Sequence, residues 1–134
     1  MNLLLDTHIL IWTLNDDTKL SKKAREMICD ENNIVFYSVI SLWEISIKHS
    51  AHPENVEFSS RDIISYCSKA NLYPLELRDK HILSLETLRR EENAPPHHDP
   101  FDRMLIAQAK SENMVFLTHD SLLPYYMENC IISV

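Results

Sequence analysis

A chain of 134 residues, 45% of them apolar, is long enough to bury one core and too short for two. Its charge of −7, from 13 basic and 20 acidic residues, is the wrong sign for a protein that grips nucleic acid through a broad cationic surface. Glycine is absent, which excludes Gly-rich phosphate loops and leaves the turns to Asn, Asp, Ser and Pro, as in Asn15-Asp16-Asp17, Glu31-Asn32-Asn33 and Ala94-Pro95-Pro96.

In chain order, the apolar run Leu3-Leu4-Leu5 predicts a strand over 2–6 that stops on an acid, Asp6, with helices over 8–14 and 19–30 behind it. Ile34-Val35-Phe36-Tyr37 predicts a strand over 34–37, and Ser38 caps a helix over 39–50. Glu44 lies in that helix among Leu42, Trp43, Ile45 and Ile47, where a carboxylate needs a cation, a proton or hydrogen bonds. A helix over 60–70, a strand over 72–75 and a helix over 78–91 follow. Asp99 then caps a helix over 100–112 with Pro100 at its first position, and Asp99 and Asp102, three residues apart, share a face. Val115-Phe116-Leu117 predicts a strand over 115–118 that ends in Thr118-His119-Asp120, and a last strand runs over 130–133. Ser50 to Asn55 and Glu91 to His98 are loops, too short to link domains.

Strands and helices alternate, and each strand is a continuous apolar run, the pattern of a parallel sheet buried on both faces. The expected fold is α/β, one domain over 1–134 in three layers, with a central, mostly parallel five-stranded sheet flanked by helices. In right-handed βαβ units the helix N-termini and strand C-termini gather at one edge of the sheet. Asp6, Asp99, Asp102 and Asp120 fall on that edge, with Glu44 on it or close by. Asp6, Asp99 and Asp120 each have a plainer explanation as helix caps. Their convergence with Glu44 favours a metal site.

The remaining features set outer limits. The longest apolar stretch, around Ile9-Leu10-Ile11-Trp12, is too short to cross a bilayer, and no basic region precedes a secretory-type core, so a soluble, cytoplasmic protein is expected. Cys29, Cys67 and Cys130 are odd in number and widely spaced, which suggests neither a disulfide framework nor a Cys-based zinc site; they are expected to be small buried apolar residues. Trp12 and Trp43 are expected in the core and Arg103 in a salt bridge. His8, His97, His98 and His119 are read as surface histidines without a catalytic role. Lys19, Lys22, Lys23, Arg25, Arg89 and Arg90 are the visible cationic clusters and are read as solvated faces.

Four segments, taken in order, carry a resemblance across nearly the whole chain. They are Leu4-Leu5-Asp6-Thr7-His8, the helix from Ser41 to Lys48, the run Asp99-Pro100-Phe101-Asp102-Arg103 continuing to Ala109, and Leu117-Thr118-His119-Asp120. Together they resemble the motifs of the PIN domain, specifically its VapC-type toxin branch; Trp43-Glu44-Ile45 and Asp99-Pro100-Phe101-Asp102-Arg103 are the most specific. The resemblance implies a Mg²⁺- or Mn²⁺-dependent endoribonuclease, the toxin half of a bacterial toxin–antitoxin pair. RNA would be its substrate, a small cognate antitoxin its partner, and a homodimer its assembly. The family's acids match Asp6, Glu44 and Asp102, with Asp120 as the fourth and Asp99 as an additional one. The chain departs from its relatives at His49 to Glu54 and at Pro95 to His98, rim loops that bear on substrate choice and partner contacts.

Hard divalent cations take oxygen ligands, and Mg²⁺ takes only one or two carboxylates directly. Acids with no His or Cys at ligand spacing fit that preference and not zinc. One or two ions would activate a water and stabilise the leaving oxygen of a phosphodiester, so no protein nucleophile is required. Asp6 and Asp102 are assigned as primary ligands, Glu44 as a ligand or a positioner of water, and Asp120 as an outer ligand. Asp99 is read as a helix cap, as a support behind the metal ligands, or as both, and Thr7 as a hydrogen-bond partner of Asp6 or of phosphate, or as a cap. A phosphoaspartate phosphatase would want a second Asp where His8 stands. A non-catalytic PIN-like partner-binding module is the realistic alternative, and loss of an acid would be its signature.

Overall fold

The computed structural model describes residues 1–134. Five strands, β1 (Asn2–Leu5), β2 (Ile34–Ser38), β3 (Tyr73–Leu75), β4 (Val115–Thr118) and β5 (Ile131–Ser133), form one sheet in the order β3-β2-β1-β4-β5. Every pairing is parallel, so the expected α/β layering holds and the sheet has no antiparallel edge. The helices are α1 (Thr7–Asn15), α2 (Lys22–Cys29), α3 (Val39–Ala51), α4 (Ser60–Lys69), α5 (Asp79–Leu85) and α6 (Pro100–Glu112), with a 3₁₀ turn at Leu123–Tyr125. No helix is long and apolar enough to cross a membrane.

The central strand explains the continuous apolar runs. Leu3 and Leu5 of β1 join one core with Ile9, Leu10, Ile45 and Ile63, while Leu4 joins the other with Ile40, Leu105, Ile106 and Phe116. With helices on both faces, alternation of side chains still buries every one of them.

The chain winds outward from β1 to β2 and β3, then returns to lay β4 on the opposite side of β1. Leu5 pairs with Leu117, so the C-terminal ends of β1 and β4 open side by side at this reversal. A sheet of this kind forms its crevice where the winding direction changes. Asp6 and Asp120 leave the sheet at that place.

The turns manage without glycine. The left-handed backbone positions are Asp16, Asn71, Asn93 and Asn113, with φ of 49°, 59°, 65° and 55°. Asn and Asp tolerate this region better than other side chains, and Asp16 and Asn113 use it to end α1 and α6.

Several expectations need correction. The helix expected over 78–91 stops at Leu85, because Thr87 turns back onto Ser84 and the chain then pairs with the segment after the 3₁₀ turn: Glu91 N–H donates to Tyr125 O (2.9 Å) and Met127 N–H to Arg89 O (2.8 Å). Local propensity yields there to a tertiary pairing. The helix expected from 19 starts at Lys22, since the Ser21 hydroxyl accepts from Ala24 N–H and caps it. Trp43 is 58% exposed, because the inward face of α3 is taken by Ile40, Ser41, Glu44 and Ile45. Its ring packs edge-on to Phe101 at 5.1 Å. Cys29 is exposed at the end of α2, whereas Cys67 is buried and Cys130 half-buried. Arg103 donates to the Tyr126 hydroxyl and lies over its ring, with no carboxylate as partner.

A buried polar chain ties three elements together. Gln108, fully enclosed, accepts from the Ser38 hydroxyl and donates to Glu76 O at 3.3 Å. His81, also fully enclosed, accepts from Arg78 N–H at Nδ1 (3.0 Å), so its Nε2–H donates to Glu112 (2.8 Å), which Lys80 also meets at 2.9 Å. The hydrogen bonds from Lys80 and His81 hold the Glu112 carboxyl below its usual range. A carboxylate depressed in the folded state stabilises the fold above its unfolded pKa and loses that contribution as pH falls through the folded value. We therefore expect Glu112→Gln to destabilise the protein by about 1 kcal/mol at neutral pH in urea unfolding. The difference from wild type should vanish as pH falls below the ordinary glutamate range.

Candidate metal centre

Four elements deliver carboxylates to the crevice, and each acid is held by a different neighbour. Asp6, 3% exposed, follows β1; its N–H donates to Leu117 O (3.0 Å) and its Oδ2 accepts from the Thr118 hydroxyl (2.5 Å). It precedes α1 without capping it through its side chain, so helix capping does not account for it. Burial raises its pKa, against the Thr118 hydrogen bond and the charge of His8. Thr118 Oγ1 in turn accepts from Asp120 N–H (3.1 Å), so one hydroxyl links the two acids across the β1/β4 gap.

Glu44, 3% exposed, projects from α3, and Lys48 one turn later meets its Oε2 at 2.5 Å. This is the cation its apolar setting demands. Burial works against the Lys48 charge, but the hydrogen bond and charge of Glu44, with Asp99 and Asp102, outweigh it and hold the ammonium above its usual range. Glu44 Oε1 is buried with no hydrogen-bond partner.

Asp102 lies in the first turn of α6, and its Oδ2 is 3.2 Å from His97 Nε2. Burial and then the charges of Asp6, Asp99, Glu44 and Asp120 push its pKa up to about 8. Asp99 does cap α6, accepting at Oδ1 from Phe101 N–H (2.9 Å) and Asp102 N–H (3.2 Å). Asp120 accepts from Leu122 N–H at 2.8 Å in the turn after β4. The Thr7 hydroxyl pairs with the Ser41 hydroxyl at 2.9 Å, joining α1 to α3, while the Thr7 backbone lends a hydrogen bond to Asp6.

Sequence reasoning missed His97. It is buried and belongs to the site: one ligand-type atom each from His97, Asp102 and Asp120 lie within 4.8 Å of one another. The expectation of acids with no histidine at ligand spacing is therefore corrected, because the loop before α6 folds back over Asp102. Burial holds the His97 imidazole pKa below its usual range. The signal available in the sequence was only its place two residues before Asp99.

The donor set fits a divalent cation. Oxygen donors predominate, burial and the charges of the surrounding acids raise the pKa of Asp102, and Glu44 offers a buried oxygen without a partner. Asp6 and Asp120, with His8, Trp12 and His119, also line an open cleft of about 250 Å³, which gives the site access to solvent.

The sequence model of the PIN domain family matches residues 3–126. No curated protein matches the chain. Among solved structures, the chain is similar to one in the VapBC2 complex of Rickettsia felis bound to a DNA fragment from its promoter. The TM-score is 0.68 and the match covers 100% of this chain and 98% of that one, at 19% identity, which is a likeness of fold.

An acid raised in the folded state binds more protons folded than unfolded between its two pKa values, so stability falls as pH rises through that window. For Asp102 the window runs from its ordinary 3.8 to about 8. In EDTA, Asp102→Asn should therefore stabilise the protein near pH 8, by about 1–2 kcal/mol in thermal or urea unfolding, and much less near pH 4.

Proposed function

The chain belongs to the PIN domain family, and from that premise we propose that it is a metal-dependent endoribonuclease, the toxin of a VapBC-type toxin–antitoxin pair. The observation that carries this reading is the cluster at the crevice: Asp102 and Asp120 offer ligand atoms within 4.8 Å of each other, Asp6 lines the same cleft as Asp120, and the charges of Asp6 and Glu44 add to burial in pushing Asp102 up to about 8. Asp6, Asp102, Glu44 and Asp120 would hold Mg²⁺ or Mn²⁺, as one ion or two, with Asp6 and Asp102 as the primary ligands. When bound, the cation supplies charge neutralisation at the scissile phosphate and makes an attacking water acidic enough to serve as the nucleophile.

The chain's own groups prepare that chemistry. Thr118 restrains Asp6, and the Asp99 cap starts α6 so that Asp102 emerges in its first turn. Lys48 is about half exposed while bonded to Glu44, which places a cationic group beside the acids for an RNA phosphate. The other cationic groups are largely committed elsewhere. Arg25 pairs with Asp16, Lys22 faces Glu26, Lys23 reaches Ser133 O, and Arg90 donates to Pro95 O. Recognition therefore rests on a single-stranded or structured RNA element and not on general affinity for RNA.

The likeness to the VapBC2 complex supports a small antitoxin as partner. A homodimer is supported by the exposed Trp43 beside a cleft of about 300 Å³ lined by Ile40, Leu77, Leu85 and Phe101. We place the protein in the cytoplasm, where such a pair would act.

Purified protein given a total RNA pool with Mg²⁺ or Mn²⁺ should yield discrete fragments. EDTA should abolish them, and Asp6→Asn or Asp102→Asn should slow cleavage by more than the roughly 10–100-fold that loss of a supporting residue costs. Cleavage that survives EDTA and both substitutions contradicts the proposal. No cleavage together with no metal binding would point instead to a partner-binding module.

A further inference from the structure

We propose that Arg103, Tyr126 and His97 form a hydrogen-bonded relay that fixes His97 as the Nε2–H tautomer and makes it a positioning residue for Asp102. The relay is enclosed: His97 and Tyr126 are both buried. The Tyr126 hydroxyl lies 3.1 Å from Arg103 Nη1 and 2.8 Å from His97 Nδ1. A guanidinium only donates, so the hydroxyl oxygen accepts from Arg103. That leaves the single hydroxyl proton, and His97 Nδ1 is the acceptor within its reach. A buried O–H left unpaired would be unfavourable, so Nδ1 accepts. The imidazole proton is then on Nε2, which donates to Asp102 Oδ2 at 3.2 Å.

The surroundings hold this arrangement rigid. Arg90 and Arg103 lie over the Tyr126 ring, at 5.3 and 5.8 Å from its centroid. The Tyr126 ring meets His97 edge-on, at 5.5 Å and 89°. Backbone bonds tie Arg89 to Met127 and Glu91 to Tyr125, and Arg90 reaches the carbonyl of Pro95, two residues before His97. The loop that carries His97 is thus clamped to the segment that carries Tyr126. A carboxyl group that receives a directed N–H at one oxygen, with the other oxygen free to carry the acid proton, is restrained in orientation, as ligand carboxyls commonly are by the groups behind them. His97 also lies near enough to Asp102 and Asp120 to serve as a nitrogen ligand, but an Nε2 that bears its proton has no lone pair to offer.

The purpose of positioning Asp102 rests on the nuclease reading, whereas the tautomer does not. In long-range ¹H–¹⁵N spectra of the ¹⁵N-histidine-labelled protein in EDTA, His97 should show a protonated Nε2 and an unprotonated Nδ1. Tyr126→Phe should let the Nδ1–H form appear. By calorimetry, His97→Ala should weaken Mg²⁺ and Mn²⁺ to a similar extent, by roughly 10–100-fold. His97→Gln, which can place an N–H near the Nε2 position, should recover most of that loss. An Nδ1–H tautomer in wild type overturns the relay. Unchanged affinities in His97→Ala, or loss of Mn²⁺ alone that Gln does not restore, overturns the positioning role. If wild type binds neither ion, the nuclease reading fails and the role of Asp102 with it, while the ring spectrum still decides the relay.

Discussion

Mutual repulsion among carboxylates, three of them buried and Asp120 half-buried, is the constraint around which this molecule is organised. Asp6, Glu44, Asp102 and Asp120 come from four elements to one crevice, and in water they would keep apart. They stay together because the sheet leaves no other place for them. The β1/β4 pairing sets Asp6 beside Thr118, the cap of α6 fixes where Asp102 emerges, and α3 is pinned by its core face of Ile40 and Ile45. Rigid elements, held by apolar burial far from the site, keep these charges together.

Each acid is also managed singly, and no two in the same way. A hydroxyl restrains Asp6, an ammonium one helical turn away compensates Glu44, an imidazole backs Asp102, and a local turn holds Asp120. These partners lower the repulsion without abolishing it, as the raised pKa of Asp102 records. A site satisfied by its own protein would have little need of an ion. The residual imbalance, with Glu44 Oε1 left unpartnered, is what a divalent cation would relieve.

Much of this was legible in the sequence because it follows local rules. Strands buried on both faces read as unbroken apolar runs; Asp6 and Asp120 follow strand ends and Asp102 lies in a first turn, where a parallel sheet gathers them, with Glu44 in the second turn of α3. The absence of glycine left the turns to residues such as Asn and Asp, and Asp16 takes a left-handed position in one of the turns named from the sequence, whereas Asn71, Asn93 and Asn113 do so at places it did not single out. What escaped depended on tertiary contact. Nothing local to His97 says that its loop folds over Asp102, because that is decided by Tyr126, some thirty positions away. Trp43 reads as core by its composition, yet Glu44 takes the inward position and turns the indole outward. The end of α5 was misjudged for a similar reason, since pairing with the segment around Tyr126 overrides helical propensity after Leu85.

The central claim, that carboxylate repulsion is stored at the site and released by a cation, has one direct test. Mn²⁺ binding should be followed by calorimetry at pH 7 in two buffers of different ionisation enthalpy, so that protons released on binding are counted. With Asp102 titrating near 8, binding at pH 7 should release most of one proton from that site, and the release should fade by pH 9. Absence of binding, or binding with no proton release at pH 7, would contradict it.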